Sequence, residues 1–68
     1  MRLDFSFKPK TSEDNRIEIA EMASISGITH LYVENGNRTK VYSKAPNLRF
    51  LNLFKSRVLN KYAEKGGK

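Results

Sequence analysis

The side chains that could act in acid–base or nucleophilic catalysis lie close together near the middle of the chain. His30 is the only histidine, and Ser24, Ser26 and Thr29 supply the nearest hydroxyls in the sequence. A histidine that acts as a base needs a nucleophile or a partner held in position beside it. The spacing of these residues matches no catalytic arrangement, so it does not indicate a hydrolase or a nuclease.

Patterns for metal or phosphate binding are missing from the sequence as well. The chain has no cysteine, which excludes disulfides, zinc–thiolate sites and thiol nucleophiles. Glu18 and Glu21, three residues apart, are typical of a solvated helix face, and there is no glycine-rich phosphate loop. We therefore expect a binding module rather than an enzyme, with no metal and no cofactor.

Residues 29–43 instead place tyrosines among cations on a predicted hairpin. Asn35-Gly36-Asn37 is a turn sequence between two β-rich runs. A two-residue turn would mix apolar and polar positions on each face, whereas a three-residue loop sets Val33 against Thr39 and keeps the two classes apart. We predict the three-residue loop, with a positive φ at Gly36 or Asn37.

This register separates the hairpin side chains into a buried face and an exposed face. The buried face holds Leu31, Val33, Thr39 and Val41, and the exposed face holds His30, Tyr32, Glu34, Arg38, Lys40 and Tyr42. Tyrosine rings stack on bases, and arginine and lysine neutralise phosphates, so the exposed face is a candidate nucleic-acid interface. The alternative is an ordinary solvated sheet face, on which Glu34 and Arg38 form a cross-strand ion pair.

Residues 46–65 are predicted to form an amphipathic helix, with Pro46 in its first turn and Gly66-Gly67 after its end. Its apolar face is made by Leu48, Leu51, Phe54, Val58, Leu59 and Tyr62. Its other side carries cations that, together with Lys44, could contact phosphates without reading sequence: Arg49, Arg57, Lys61 and Lys65. Phe50 and Leu53 fit the apolar face poorly, which makes them candidates for a protein interface.

Two further elements precede the hairpin. Apolar and polar residues alternate over residues 2–8, which predicts a half-buried strand. Residues 12–25 are predicted to form a short helix, with Ser12 as its N-cap and Gly27 after its end. A strand beginning at Arg16 is the alternative.

Together these elements predict an α+β fold. A small three-stranded antiparallel sheet (2–8, 29–34, 38–43) packs against a C-terminal helix (46–65), and a short helix lies at 12–25. Residues 1–65 are expected to form one domain and residues 66–68 a flexible tail. The second face of the sheet is expected to be open or only partly covered.

The charge of the chain is strongly polarised along the sequence. The formal net charge is +6, and residues 1–27 hold four basic and five acidic side chains, whereas residues 28–68 hold nine basic and two acidic. Such an excess attracts polyanions. Because cysteine is absent, no apolar run is long enough to cross a membrane and the start of the chain lacks the apolar stretch of a signal peptide, we expect a cytoplasmic protein with no membrane partner.

Two families resemble parts of the chain. Residues 19–33 resemble the helix-turn-helix motif of bacterial repressors, and the layout of residues 28–65 is similar to the arm-binding domains of phage integrases. The matching positions of the first motif are Ala20, Ala23, Ile25, Ser26, Thr29 and Val33, whereas Ser24 stands in place of its turn glycine and His30 in place of an apolar anchor. Both resemblances imply DNA binding, through a second helix in the first family and through a sheet in the major groove in the second.

Two functions agree with these features. The first is a small, non-enzymatic nucleic-acid-binding regulatory protein, with DNA as the preferred ligand, that acts as a monomer or homodimer. The alternative is a phage- or plasmid-type protein-binding module or inhibitor that docks on an acidic partner protein.

Overall fold

The computed structural model describes residues 1–11 and 13–63 of the chain. The predicted N-cap Ser12, the cation Lys65 and the predicted tail at 66–68 lie outside the described residues. The elements in chain order are β1 (Arg2–Phe7), α1 (Arg16–Ile25), β2 (His30–Asn35), β3 (Thr39–Lys44) and α2 (Leu48–Tyr62). The α+β fold with a three-stranded antiparallel sheet and a C-terminal helix is thereby confirmed, and residues 16–25 are helical rather than extended.

The sheet is built around β3. This strand pairs antiparallel with β1 on one side and with β2 on the other, which gives the order β1-β3-β2. Because side chains alternate along each strand, the sheet has an apolar face and a polar face. Both helices pack on the apolar face, α2 against β1 and α1 against β2, and no described element covers the polar face.

The core lies between the sheet and the two helices. Its buried members are Phe7, Ile19, Ala23, Val41, Phe54 and Val58. The rings of Phe5 and Phe54 meet edge to face with centroids 6.0 Å apart, which fixes α2 over β1. Leu51 is also fully buried on α2, but Leu48 is 46% exposed, so its place in the predicted apolar face is wrong.

The start of α1 differs from the prediction because Asp14 caps it. The Asp14 carboxylate accepts a hydrogen bond from the backbone N–H of Arg16 at 3.0 Å and also binds the guanidinium of Arg16, with contacts of 2.8 to 3.2 Å. Asn15 occupies the N-cap position, but its side chain makes no capping bond. The helix therefore begins at Arg16, four residues after the predicted N-cap.

The end of α1 is closed by Gly27, as predicted. Gly27 has a φ of +82°, a conformation that favours glycine. The N–H of Ile28 donates to the carbonyl of Ala23 at 3.0 Å, and the N–H of Gly27 donates to the carbonyl of Ser24 at 3.3 Å. These two bonds form a Schellman motif, which satisfies carbonyl groups that the helix end would otherwise leave unpaired.

The bounds of α2 are set by Asn47 and by the chain that follows β1. Asn47 is extended, and its side-chain oxygen accepts a hydrogen bond from the backbone N–H of Arg49 at 2.8 Å, so the helix begins at Leu48 and Pro46 is not in its first turn. At the other end Ala63 is extended and forms a bridge with Pro9. The helix thus ends at Tyr62 rather than at residue 65.

The predicted pairing of the hairpin is wrong by two residues. Val33 lies opposite Val41 and Asn35 opposite Thr39, so the three-residue loop is 36–38 instead of 35–37. The Thr39 hydroxyl donates to the Asn35 side-chain oxygen at 3.0 Å, which keeps Asn35 in the ladder. No positive φ occurs in the loop, contrary to the prediction for Gly36 or Asn37. A shift of two keeps every side chain on its predicted face.

Candidate nucleic-acid interface

Nine side chains form a three-by-three grid on the polar face of the sheet, which we call the open face. The pairing of the strands places them in three rows, each crossing β1, β3 and β2 in that order. The basic row is Arg2, Lys44 and His30; the tyrosine row is Asp4, Tyr42 and Tyr32; the distal row is Ser6, Lys40 and Glu34. Neighbouring rows are about 7 Å apart, since each step spans two residues of a strand.

The tyrosine row exposes aromatic surface at the centre of the open face. Tyr32 is 60% exposed, and Tyr42 on the central strand is half-buried. Their ring centroids are 5.7 Å apart and the rings are tilted by 35°, so each ring limits the motion of the other. Both tyrosines therefore lie on one face of the sheet, where Tyr32 is the more exposed of the two.

In the basic row, Arg2 forms a salt bridge with Asp4, and Lys44 and His30 lie beside it. The guanidinium of Arg2 binds the carboxylate of Asp4, with contacts of 2.7 to 3.2 Å, and this hydrogen bonding raises the pKa of Arg2. Lys44 makes no side-chain ion pair within residues 1–11 and 13–63. The basic row and the tyrosine row together border a groove of about 290 Å³ that includes His30.

The distal row adds a second cationic end to the open face. Lys40 lies directly opposite Glu34, so the predicted pairing of Glu34 with Arg38 is wrong. Arg38 is in the hairpin loop, and its guanidinium reaches back to Ser6, with long contacts of 3.4 and 3.5 Å. With Arg38 included, the open face carries four cations and two carboxylates, a net charge of +2.

The predicted cations of the C-terminal helix lie on the other side of the molecule. Arg49, Arg57 and Lys61 are exposed on α2, which packs on the covered face of the sheet. Helix α2 has four basic residues and no acidic one. The structure therefore brings Tyr32, Tyr42, Lys40, Lys44 and Arg38 together, but separates them from the α2 cations.

The predicted protein-interface residues are partly exposed on the helix layer, where α1 also exposes an apolar side chain. Phe50 is 36% exposed and Leu53 is 48% exposed, and Ile25 near the end of α1 is 72% exposed. We call these three residues the helix-layer patch. One edge of the Phe50 ring lies against Gly27, so close that a Cβ atom at Gly27 would be only 3.0 Å from the ring. Phe50 thus has a packing role as well as an exposed edge.

Arg2 and Asp4 are members of the open face that sequence reasoning did not include. Their alternation in residues 2–8 correctly predicts that they point to the polar side. What was missing was the order of the strands, because only the pairing of β1 with β3 brings Arg2 beside Lys44. A hairpin considered alone gives no signal for this neighbour.

Two titratable groups with shifted pKa values lie outside the open face. The bond to Arg16 lowers the pKa of Asp14 to about 2, with a further contribution from the Asn35 side chain, which donates to Asp14 at 3.1 Å. Burial raises the pKa of Tyr62, and so does its hydrogen bond to Glu18 at 2.6 Å. Both groups connect α1 to other elements, so they act on the fold rather than on the open face.

Comparison with known proteins found no relative of this chain. No protein-family model matches the chain, and neither a curated protein nor a solved structure matches it. Residues 19–33, the segment for which the helix-turn-helix resemblance was predicted, contain the end of α1 and the start of β2. Neither α1 nor α2 is long and apolar enough to cross a membrane.

Proposed function

We propose that the protein is a small nucleic-acid-binding module that uses the open face of its sheet. The observation that carries this proposal is the pair Tyr32 and Tyr42 at the centre of an uncovered sheet face, with cations in the rows on either side. Aromatic rings and phosphate-neutralising cations on one groove-bearing surface are the features with which proteins bind nucleic acids without an enclosed pocket.

The charges of the open face favour contact with the phosphate backbone. Lys40 and Lys44 lie on the central strand two rows apart, about 14 Å along the sheet. Phosphate contacts position a nucleic acid and supply most of its salt-dependent affinity. The two carboxylates lie beside cations, which limits their repulsion of the phosphates: Asp4 is bound by Arg2, and Glu34 is opposite Lys40.

A salt titration of binding tests this proposal. Labelled oligonucleotides, single-stranded and double-stranded, are titrated with the protein by fluorescence anisotropy between about 20 and 200 mM salt. We expect the logarithm of the affinity to fall linearly with the logarithm of the salt concentration, by roughly 0.7 to 0.9 for each neutralised phosphate. Absence of binding to every oligonucleotide at the lowest salt concentration would overturn the proposal.

A matched pair of double variants locates the binding surface. Lys40→Gln with Lys44→Gln removes two charges from the open face and is expected to weaken binding about tenfold and to lower the salt slope by about 2. Arg49→Gln with Arg57→Gln removes the same charge from α2, on the other side of the sheet, and is expected to have a much smaller effect. Equal losses in the two variants would mean that net charge, rather than the open face, governs binding.

The helix-layer patch supports a second candidate function, the docking of an acidic protein. The side chains of Leu53 and Ile25 are 48% and 72% exposed. Two residues of the patch, Phe50 and Leu53, lie on α2, whose charged side chains are all basic. Exposed apolar side chains on a basic helix are complementary to an apolar segment that is flanked by carboxylates.

Affinity capture with matched variants tests the second function. Leu53→Gln with Ile25→Gln removes two apolar side chains of the patch, whereas Ile17→Gln changes a residue that is 78% exposed elsewhere on α1. Phe50 is left unchanged because its ring packs on Gly27. Acidic proteins retained by the wild type and by Ile17→Gln, but lost from the double variant, would support docking; equal capture by all three would contradict it.

A further inference from the structure

We propose that the partner of the open face is a single-stranded nucleic acid, with an unstacked base against Tyr32 and the adjoining phosphate beside the basic row, an inference that rests on the function proposed above. Tyr32 supplies the ring, the groove of about 290 Å³ supplies the space, and Lys44 supplies a cation on the central strand that lines this groove.

The exposed ring of Tyr32 favours a single strand over a duplex. In a duplex each base is covered on both faces by its neighbours, and the grooves present only base edges. A tyrosine ring can therefore stack only on a base that has left the stack or was never in one. Tyr32 is 60% exposed and is supported from one side by Tyr42, so the stacking surface is held in place before binding.

The groove beside the rings has the size for one small planar group. Its volume of about 290 Å³ is at the lower limit of about 300 Å³ for small-molecule pockets. It is bordered by both members of the tyrosine pair and by the basic row, and also by Asp4, whose carboxylate is bound by Arg2. A base that stacks on the tyrosine row in this groove thus lies beside the basic row, whose backbone positions are about 7 Å away along the strands, so the cations of that row can contact the adjoining phosphate.

The same face could enter the major groove of a duplex, and the two modes make different demands on Tyr32. In the major groove, tyrosine contributes its hydroxyl to base edges or phosphates. In stacking, the hydroxyl is dispensable and the ring is not. Replacement of Tyr32 by phenylalanine therefore separates the two modes.

The first part of the experiment varies the ligand. Three labelled ligands of about 12 nucleotides and one sequence are compared by anisotropy at one salt concentration: the single strand, its duplex, and the single strand with abasic sites. We expect the single strand to bind about tenfold more tightly than the duplex. The abasic strand, which keeps its phosphates, is expected to lose most of this advantage.

The second part varies the protein. Tyr32→Ala is expected to weaken binding of the single strand about tenfold, whereas Tyr32→Phe binds like the wild type. Ile17→Ala is the control, since it removes an exposed apolar side chain from α1. In a Tyr62→Phe background only Tyr32 and Tyr42 remain as fluorophores, so quenching of their emission on binding reports base contact directly.

The outcomes distinguish this inference from the function on which it rests. Equal or tighter binding of the duplex, full affinity of the abasic strand, or a large loss in Tyr32→Phe would overturn stacking while leaving nucleic-acid binding intact. Failure of all three ligands to bind would overturn the proposed function itself. Circular dichroism of each variant shows that a loss of affinity is not a loss of fold.

Discussion

Single residues at the two ends of α1 hold this helix against α2. Gly27 supplies the left-handed conformation that closes the helix, and its bare Cα lets the Phe50 ring approach. Tyr62 reaches from α2 to Glu18 near the start of α1. Because Gly27 meets the first turn of α2 and Glu18 meets its last, these contacts hold the two helices side by side and antiparallel.

Gly27→Ala is expected to destabilise the protein by at least about 1 to 2 kcal/mol. A side chain at a φ of +82° is strained, which costs about that much for a non-glycine residue. The new Cβ would also stand 3.0 Å from the Phe50 ring, so the ring must move. Urea unfolding followed by circular dichroism measures the change.

Gly36→Ala is the matched control for that substitution. Gly36 has no positive φ, and a Cβ there would have its nearest neighbour at 3.8 Å, the carbonyl oxygen of Arg38. We expect a change within about 0.5 kcal/mol, as is usual for surface positions. Equal losses for the two alanine variants would show that the Gly27 turn is not specifically strained.

Tyr62→Phe removes the hydrogen bond to Glu18 and is expected to cost about 1 kcal/mol at neutral pH. The pKa of Tyr62 is raised above its ordinary value of 10, chiefly by burial, so the folded state favours the neutral phenol. The stabilisation is therefore complete below pH 10 and is lost as the pH rises above it, where the unfolded chain ionises first.

The measurement is the free energy of unfolding of both proteins in urea from pH 7 to pH 11. The difference between wild type and Tyr62→Phe should shrink as the pH rises above 10. A difference that stays constant over this range would mean that Tyr62 ionises equally easily in the folded and unfolded chains.

At the level of elements, local sequence patterns predicted whether a segment is a helix or a strand, and which face each side chain is on. They predicted less well where each element begins and ends, and which residues pair across strands. Alternation assigned the strand faces, and they stayed correct although the hairpin pairing was off by two, since such a shift keeps the parity of every side chain. The start of α1 was not predictable from a preference for serine at N-caps. Asp14 does the capping, held by Arg16 and by Asn35 from a distant strand.

In the candidate interface, too, local patterns predicted some features, and contacts between distant residues determine the others. The hairpin alone yields Tyr32, Tyr42 and Lys40 on one face, but Arg2 joins them only through the pairing of β1 with β3. The α2 cations were predictable as an exposed set, whereas their separation from the tyrosines depends on which face of the sheet the helix covers. Contacts between residues far apart in sequence decide both points.

Helix α2 offers a paired test of its buried stripe. Leu51 is fully buried and Leu53, two residues later, is 48% exposed. Leu51→Ala is expected to cost about 2 to 5 kcal/mol through lost burial and a cavity, enough to unfold much of so small a domain. Leu53→Ala should cost less than about 1 kcal/mol. Thermal unfolding of both variants checks the contrast, which an equal drop in Tm would contradict.

At the scale of the whole molecule, the positive charge is divided between two surfaces. The open face holds four cations and the opposite α2 surface holds another set, while the molecule is only 17 Å across its shortest axis. The screening length of salt water is about 30 Å at 0.01 M and about 8 Å at physiological ionic strength. The two surfaces therefore repel one another at low salt and hardly at all at physiological salt.

Added salt should accordingly stabilise the free protein and weaken its complexes. Between about 10 and 200 mM sodium chloride we expect the free energy of unfolding to rise by a few tenths of a kcal/mol, because screening relieves the self-repulsion of a +6 chain. Over the same range, nucleic-acid affinity should fall, because each counterion released from the nucleic acid gains less entropy when the bulk salt concentration is higher. Urea midpoints and anisotropy titrations in the same buffers measure the two trends.

A fall in stability with salt would mean that attractive pairs such as Arg2 with Asp4 outweigh the repulsion. Opposite trends would separate the electrostatics of the fold from those of binding, since a salt effect on folding alone could not then explain the loss of affinity.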